Sequence, residues 1–192
     1  IVKFMSAIVV ENISKSFGKI KALDSVSFQV NRGELFGLIG PDGAGKTTLF
    51  RLLTTLLYPD EGKVTVDGYD SVQDYLKIRQ HVGYMPGRFS LYQDLTVEEN
   101  LKFFAALFGV EVEESYDLVA PIYRQIEPFK NRRAGKLSGG MKQKLALSCA
   151  LIHHPSVLFL DEPTTGVDAV SRTEFWDMLA DLKAKGITIL VS

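Results

Sequence analysis

The octapeptide Gly40-Pro41-Asp42-Gly43-Ala44-Gly45-Lys46-Thr47 constrains this chain more than any other feature, because of what stands on either side of it. Leu35-Phe36-Gly37-Leu38-Ile39 before it is an apolar run of strand length, and Lys46 to Leu53 after it repeats apolar residues at helical spacing. A strand, a glycine loop and a helix in that order make a phosphate cradle. Gly40, Gly43 and Gly45 let backbone N–H groups point into a nest, and the helix start adds partial positive charge. Lys46 reaches the β- and γ-phosphates of a triphosphate and Thr47 offers a hydroxyl to magnesium, with Pro41, Ala44 and Thr48 filling out the loop. A chance glycine turn is a poor alternative in that setting. Asp42 is the odd member, since a carboxylate beside a triphosphate repels it, and it is expected to face a partner subunit or solvent.

A second apolar run, Ser156-Val157-Leu158-Phe159-Leu160, suits a strand buried on both faces of a parallel sheet. It delivers Asp161 and Glu162 at its carboxyl end, where open α/β sheets do their ligand chemistry. Beside a phosphate loop, Asp161 reads as a magnesium holder acting mostly through water. Glu162 reads as the general base that polarises water for attack on the γ-phosphate. Without the phosphate loop, the pair would read as a solvated turn.

Downstream of the phosphate loop stands Leu137-Ser138-Gly139-Gly140-Met141. Ser138 is a favourable N-cap for a helix running through Met141, Leu145, Leu147, Ala150 and Leu151, so free N–H groups at Ser138, Gly139 and Gly140 attract an anion. A Ser-Gly-Gly alone would be only a helix cap. The whole string through Lys142-Gln143, between phosphate loop and acid pair, resembles the signature of the nucleotide-binding domain of ATP-binding cassette (ABC) transporters.

That resemblance covers essentially the whole chain from Phe17 onward and implies an α/β fold, a P-loop NTPase core of the ABC ATPase type with an inserted helical subdomain. It implies ATP and Mg2+ as ligands, a second ABC ATPase domain in a head-to-tail dimer, and transmembrane permease subunits as partners at the cytoplasmic face of the inner (cell) membrane. In that family the anion at the signature is the γ-phosphate of ATP held by the opposite subunit. Phe17 occupies the position of the aromatic that stacks on adenine, with a core or turn aromatic as the alternative. Pro163-Thr164-Thr165-Gly166-Val167-Asp168 resembles the D-loop, with Asp168 as its namesake, expected to couple the two ATP sites. The wording of residues 88–100 and 138–145 looks most like bacterial type-2 exporter ATPases of the multidrug-efflux kind.

One position departs from the family pattern. Val82-Gly83-Tyr84-Met85-Pro86 leads to the place where the family carries a glutamine that touches magnesium and senses the membrane partner, and that place reads Gly87. Glycine has no side chain to orient a water. The family's γ-phosphate-sensing histidine follows a strand such as Ile187 to Val191, and the sequence ends at Ser192 before it. With Ile1 rather than a start methionine, the chain reads as an excised, C-terminally truncated piece.

Composition narrows the setting. The 192 residues are 46% hydrophobic and 23% charged, enough for one domain with a sizeable core. No run approaches the roughly 18 apolar residues of a membrane span, so membrane association is expected through a partner. A net charge of -1 argues against a nucleic-acid surface, and Lys130, Arg132, Arg133 and Lys136 read as solvated cations near the signature. The single cysteine, Cys149, is expected in the core as a reduced thiol. His153 and His154 stand at a helix end, where cations suit the dipole.

The expected organisation is a single domain, 1–192, in which 1–86 and 154–192 form the α/β core and 87–153 the helical subdomain, with helices over Val97–Phe108, Tyr116–Ile126 and the signature segment. The Met5 to Val10 stretch reads as an opening strand. Three functions stay open: the ATP-hydrolysing part of an exporter, a non-transport ABC ATPase, and a degenerate cassette that closes a dimer around ATP but hydrolyses it poorly. The segment Phe89 to Phe104, with Phe89, Leu91, Tyr92, Leu95, Phe103 and Phe104, is expected to help form an apolar surface for a permease helix, with part of this bulk packed inside the helical subdomain and some of it exposed in one groove.

Overall fold

The computed structural model describes residues 6–192. Met5, the first residue of the expected opening strand, lies outside the described residues. The rest of that strand belongs to β1 (Ser6–Phe17), which pairs antiparallel with β2 (Ile20–Asn31) through a turn at Gly18 and Lys19. Chain order continues with β3 (Leu35–Gly37), α1 (Lys46–Leu53), β4 (Glu61–Val66), β5 (Tyr69–Asp70), α2 (Tyr75–His81) and β6 (Val82–Met85). Then come α3 (Val97–Phe108), α4 (Val112–Tyr123), α5 (Gly139–Leu151), β7 (Val157–Leu160), α6 (Ala169–Ala184) and β8 (Thr188–Val191).

These strands form two four-stranded sheets, an antiparallel one ordered β2-β1-β4-β5 and a parallel one ordered β3-β8-β7-β6. The inner strands β7 and β8 are buried along their whole length, as their unbroken apolar sequences require. Alternation along β7 divides the interior in two. Val157 and Phe159 join a core with Phe50, Leu53 and the antiparallel sheet's Ile8, Val10 and Val64, while Leu158 and Leu160 join one with Leu145, Leu147, Phe175 and Leu179. Helix α1 is thus packed between the sheets, and Phe50 meets Phe159 edge-on at 6.2 Å between ring centroids.

Between β6 and β7 the chain is helical. Helix α3 starts with a capping box, in which Thr96 Oγ1 accepts from the Glu99 N–H and the Glu99 carboxylate accepts from the Thr96 N–H, and it ends at Gly109 with φ 68°. The fully buried Asn100 accepts from the Tyr92 N–H and donates to the Tyr92 and Thr96 carbonyls, tying the preceding loop to the helix. Helix α4 occupies Val112–Tyr123 rather than the expected Tyr116–Ile126. Glu113 and Glu114 lie in its first turn, where carboxylates favour the positive helix end, and Ile126 instead closes a tight turn by donating to the Tyr123 carbonyl.

Cys149 is buried as expected, and burial pushes its thiol far above the ordinary range. His153 overturns the expectation of a cation at a helix end. Its ring stacks on Phe108 at 3.7 Å between centroids, Nε2 lies 3.0 Å from the Val82 carbonyl oxygen, and burial pushes its pKa down to about 4. It is a neutral packing residue. No helix among the described residues is long and apolar enough to cross a membrane.

Candidate functional site

The phosphate loop leaves the parallel sheet at the end of β3. Leu38 still donates to the Val191 carbonyl, at 2.7 Å, but Ile39 is fully exposed, so the apolar run outlasts the strand that it predicts. At the start of α1, Gly45 has φ 87°, and a side-chain carbon there would stand 2.4 Å from the Ala22 carbonyl oxygen of β2. Only glycine fits, for conformation and for space. Lys46 Nζ donates to the carbonyls of Gly40 at 2.9 Å and Pro41 at 3.1 Å, and the Ala44 N–H donates to Pro41 at 3.2 Å, which curls the loop over the helix start.

The resulting concavity, about 430 Å3, is lined by Asp42, Gly43, Ala44, Gly45, Lys46, Thr47 and Thr48, by Ile20, Lys21 and Ala22 of β2, and by Glu162. The structure therefore brings the loop and the distant glutamate to one place. Asp42 is exposed to solvent, as is Thr47.

Asp161 and Glu162 follow β7 at its carboxyl end. Asp161 is almost fully buried and its N–H donates to the Met85 carbonyl at 2.9 Å. Glu162 sits in the left-handed region, φ 50°, which is costly for a residue with a side chain, on the order of 1 kcal/mol or more. Its N–H donates to Ser192 Oγ at 3.0 Å, and Ser192 Oγ in turn donates to Asp161 Oδ1 at 3.2 Å. Thr165 Oγ1 donates to Glu162 Oε2 at 3.4 Å. Nearby, burial and then the Asp161 charge push the Tyr84 phenol up to about 12, so it stays protonated.

The signature residues stand elsewhere. Ser138 caps α5, its Oγ accepting from the Met141 N–H at 3.4 Å, and the first-turn amides of α5 project from an exposed Ser138-Gly139 pair. Leu137 is buried and Gly140 packs so tightly on α6 that a side-chain carbon would meet Ser171 Oγ at 2.7 Å. Asp168 caps α6 by accepting from the Ser171 N–H at 2.9 Å, which holds its carboxyl below the usual range. Neither the Leu137–Met141 segment nor Asp168 lines the phosphate-loop concavity. Phe17 is half exposed at the end of β1, with Lys15 Nζ 5.8 Å from its ring centroid, and does not line the concavity either.

Some contributors had no signal in the sequence. Ile20, Lys21 and Ala22 wall the concavity because β2 runs beneath the loop, which is a matter of tertiary packing. Gln143 of α5 donates its amide to the Pro163 carbonyl, linking the signature helix to the acid turn, while its Oε1 is buried without a partner. Ser192 was legible only as the end of an apolar run.

Across the molecule runs an apolar groove of about 790 Å3 between the helical region and the core, bordered by Leu56, Leu76, Leu91, Phe104 and Leu107, with Phe108 and His153 at its back. Of the apolar residues expected here, only Leu91 and Phe104 line it. Tyr92 and Phe103 pack edge-on against each other at 4.8 Å, and Phe89 lies under Lys142, whose Nζ is 5.4 Å from its ring centroid.

The ABC transporter family matches residues 23–165. The probable multidrug ABC transporter ATP-binding protein YbhF of Escherichia coli (strain K12) is 42% identical over 97% of this chain, and the doxorubicin resistance ATP-binding protein DrrA of Mycobacterium tuberculosis is 40% identical over 97%. The chain spans only 33% of the first relative and 57% of the second. Among solved structures, an ATP binding subunit of an ABC transporter matches with a TM-score of 0.87 and 31% identity, covering 97% of this chain and 79% of that one. A bacterial ABC transporter cassette solved as a dimer matches with a TM-score of 0.84 and 28% identity, covering 96% and 86%. With a phosphate loop, an acid pair and a capped signature helix in one α/β frame, and with a family match across most of its length, this chain belongs to the ABC transporter family.

Proposed function

We propose that this cassette binds Mg-ATP at the phosphate-loop concavity and hydrolyses it to drive export through a separate transmembrane permease. The observation that carries the reading is the position of Glu162 on the wall of the same concavity as Lys46 and Thr47. The relatives' names, which speak of multidrug transport and doxorubicin resistance, favour an exporter.

The chemistry follows from positioning and charge. Backbone N–H groups of residues 43–48 and the start of α1 hold the phosphates, and the Lys46 ammonium exchanges the Gly40 and Pro41 carbonyls for phosphate oxygens. Glu162 takes a proton from the attacking water. The Thr47 hydroxyl and Asp161 would hold magnesium, which supplies charge neutralisation at the β- and γ-oxygens. Phe17 offers a ring for adenine, with little discrimination between purines.

The signature residues are exposed at Ser138 and Gly139 and do not line the phosphate-loop concavity, which supports a head-to-tail dimer in which Ser138, Gly139 and Gly140 reach the γ-phosphate held by a second cassette. The apolar groove supports docking of a cytoplasmic permease helix, and the pair would sit at the cytoplasmic face of the inner membrane. Gly87 favours a second reading, a cassette whose own site turns over weakly while its signature serves the partner's. The test is ATP hydrolysis by the full-length protein with its permease. Lys46→Ala should weaken Mg-ATP binding on the order of 10-fold or more, and Glu162→Gln should abolish turnover while preserving binding. Turnover or binding indifferent to both changes would remove the assignment.

A further inference from the structure

We propose that Ser192 is a positioning residue for ATP hydrolysis, its hydroxyl fixing the catalytic glutamate's backbone against the carboxylate beside it. The proposal rests on the roles given to Asp161 and Glu162 above and adds the group that sets their mutual geometry.

Both hydrogen bonds of the hydroxyl are used across the turn. Ser192 Oγ accepts from the Glu162 N–H at 3.0 Å and donates to Asp161 Oδ1 at 3.2 Å. The residue is brought there by strand register rather than by its neighbours in sequence: Leu160 pairs with Val191 in the parallel ladder, and the Ser192 N–H donates to the Leu160 carbonyl at 3.1 Å. The hydroxyl therefore sits at the first position past β8, level with the first positions past β7.

What it holds is a conformation that does not hold itself. Glu162 has φ 50°, a left-handed backbone that a glutamate adopts only where its surroundings fix it. The Glu162 N–H points inward at Ser192, and the direction of its side chain into the concavity depends on that backbone. The same hydroxyl orients one oxygen of the buried Asp161, the carboxylate that would help hold magnesium. One small group thus sets the angle between the metal-side carboxylate and the base. A hydroxyl is needed because the job is to accept from an amide and donate to a carboxylate at once, which neither a methyl nor an ammonium does.

The experiment uses the full-length protein assembled with its permease and compares Ser192→Ala, Ser192→Thr and Glu162→Gln. Ser192→Ala is expected to lower kcat on the order of 10-fold, with KM for Mg-ATP and calorimetric affinity for a non-hydrolysable Mg-ATP analogue changed by no more than about twofold. Hydrogen exchange in a peptide covering Glu162 should speed up, because its amide loses its acceptor. Ser192→Thr, which keeps the hydroxyl, should return kcat to within about threefold of the parent and restore slow exchange. The proposal is overturned if Ser192→Ala turns over at the parent rate while Glu162→Gln is inactive, if the threonine variant is as impaired as the alanine one, or if the loss appears in KM and affinity rather than kcat. Should Glu162→Gln keep parent turnover, the assignment of the base falls, and this role for Ser192 falls with it.

Discussion

A side-chain carbon on Gly87 would stand 3.0 Å from the carbonyl oxygen of Asp161 and 3.6 Å from Cβ of Glu162. The loop after β6 therefore lies against the acid turn more closely than most residues allow, and the Asp161 N–H donates to the carbonyl of Met85, the last residue of β6. Gly87, where the resemblance implies a glutamine, is packed against the backbone of the acid turn.

Gly87→Gln tests two opposing effects. The amide can orient the attacking water, while the added Cβ pushes on the Asp161 carbonyl by a few tenths of an ångström. Gly87→Ala separates them, since it adds the crowding without the amide. In the full-length protein with its permease, Gly87→Gln is expected to raise ATP turnover on the order of 10-fold and Gly87→Ala to leave it equal or lower. Full parent activity that depends on Glu162 and does not rise with the glutamine would end the idea of a weak site.

The groove predicts a partner contact that nucleotide binding does not share. Leu107 is 63% exposed and sits on its rim, so Leu107→Asp should leave folding within about 0.5 kcal/mol of the parent. Co-purification with the permease should fall at least about tenfold, while calorimetric affinity for Mg-ATP stays the same. Undiminished co-purification would place the permease contact elsewhere.

His153 predicts an acid sensitivity with a definite sign. Burial lowers its pKa from 6.5 to about 4, the Val82 carbonyl opposing and the neighbouring His154 and His81 assisting. The unfolded chain therefore binds the extra proton between those values, and the native state loses stability as pH falls from about 6.5 toward 4. His153→Phe keeps a ring to stack on Phe108 and cannot titrate. In urea unfolding at pH 7 and at pH 4.5, the parent's midpoint should fall further than the variant's. Parallel falls in the two proteins would show that His153 is not the sensor.

The parts of this site that could be read from the chain are those whose chemistry is local. Lys46, Thr47 and their glycines form a loop that specifies its own shape between one strand and one helix, and Ser138 announces a helix start by capping it. Asp161 and Glu162 were legible because an apolar strand aims its last residues at the ligand edge of a sheet. Only one wall of the groove was legible, in Leu91 and Phe104, because its other wall, Leu56 and Leu76, comes from segments distant in sequence. Nor could periodicity show His153 as a neutral packing group: two adjacent histidines at a helix end read as cations until Phe108 and Val82 are seen around the first of them.

The parallel sheet carries a consequence for how the protein comes into being. Among the described residues, β3 has β8 as its strand partner, with Leu35 opposite Ile189 and Gly37 opposite Val191. The strand that launches the phosphate loop is thus made early by the ribosome and waits for its neighbour until about 150 further residues have been synthesised. Closing so long a loop is slow, and a nascent chain short of β8 has an unpaired β3 edge at the mouth of its nucleotide site. A ribosome-bound chain that stops before residue 188 should not retain nucleotide, whereas one with residues 188–192 clear of the exit tunnel should. Nucleotide would then be a ligand that stabilises β3 only once β8 has joined it.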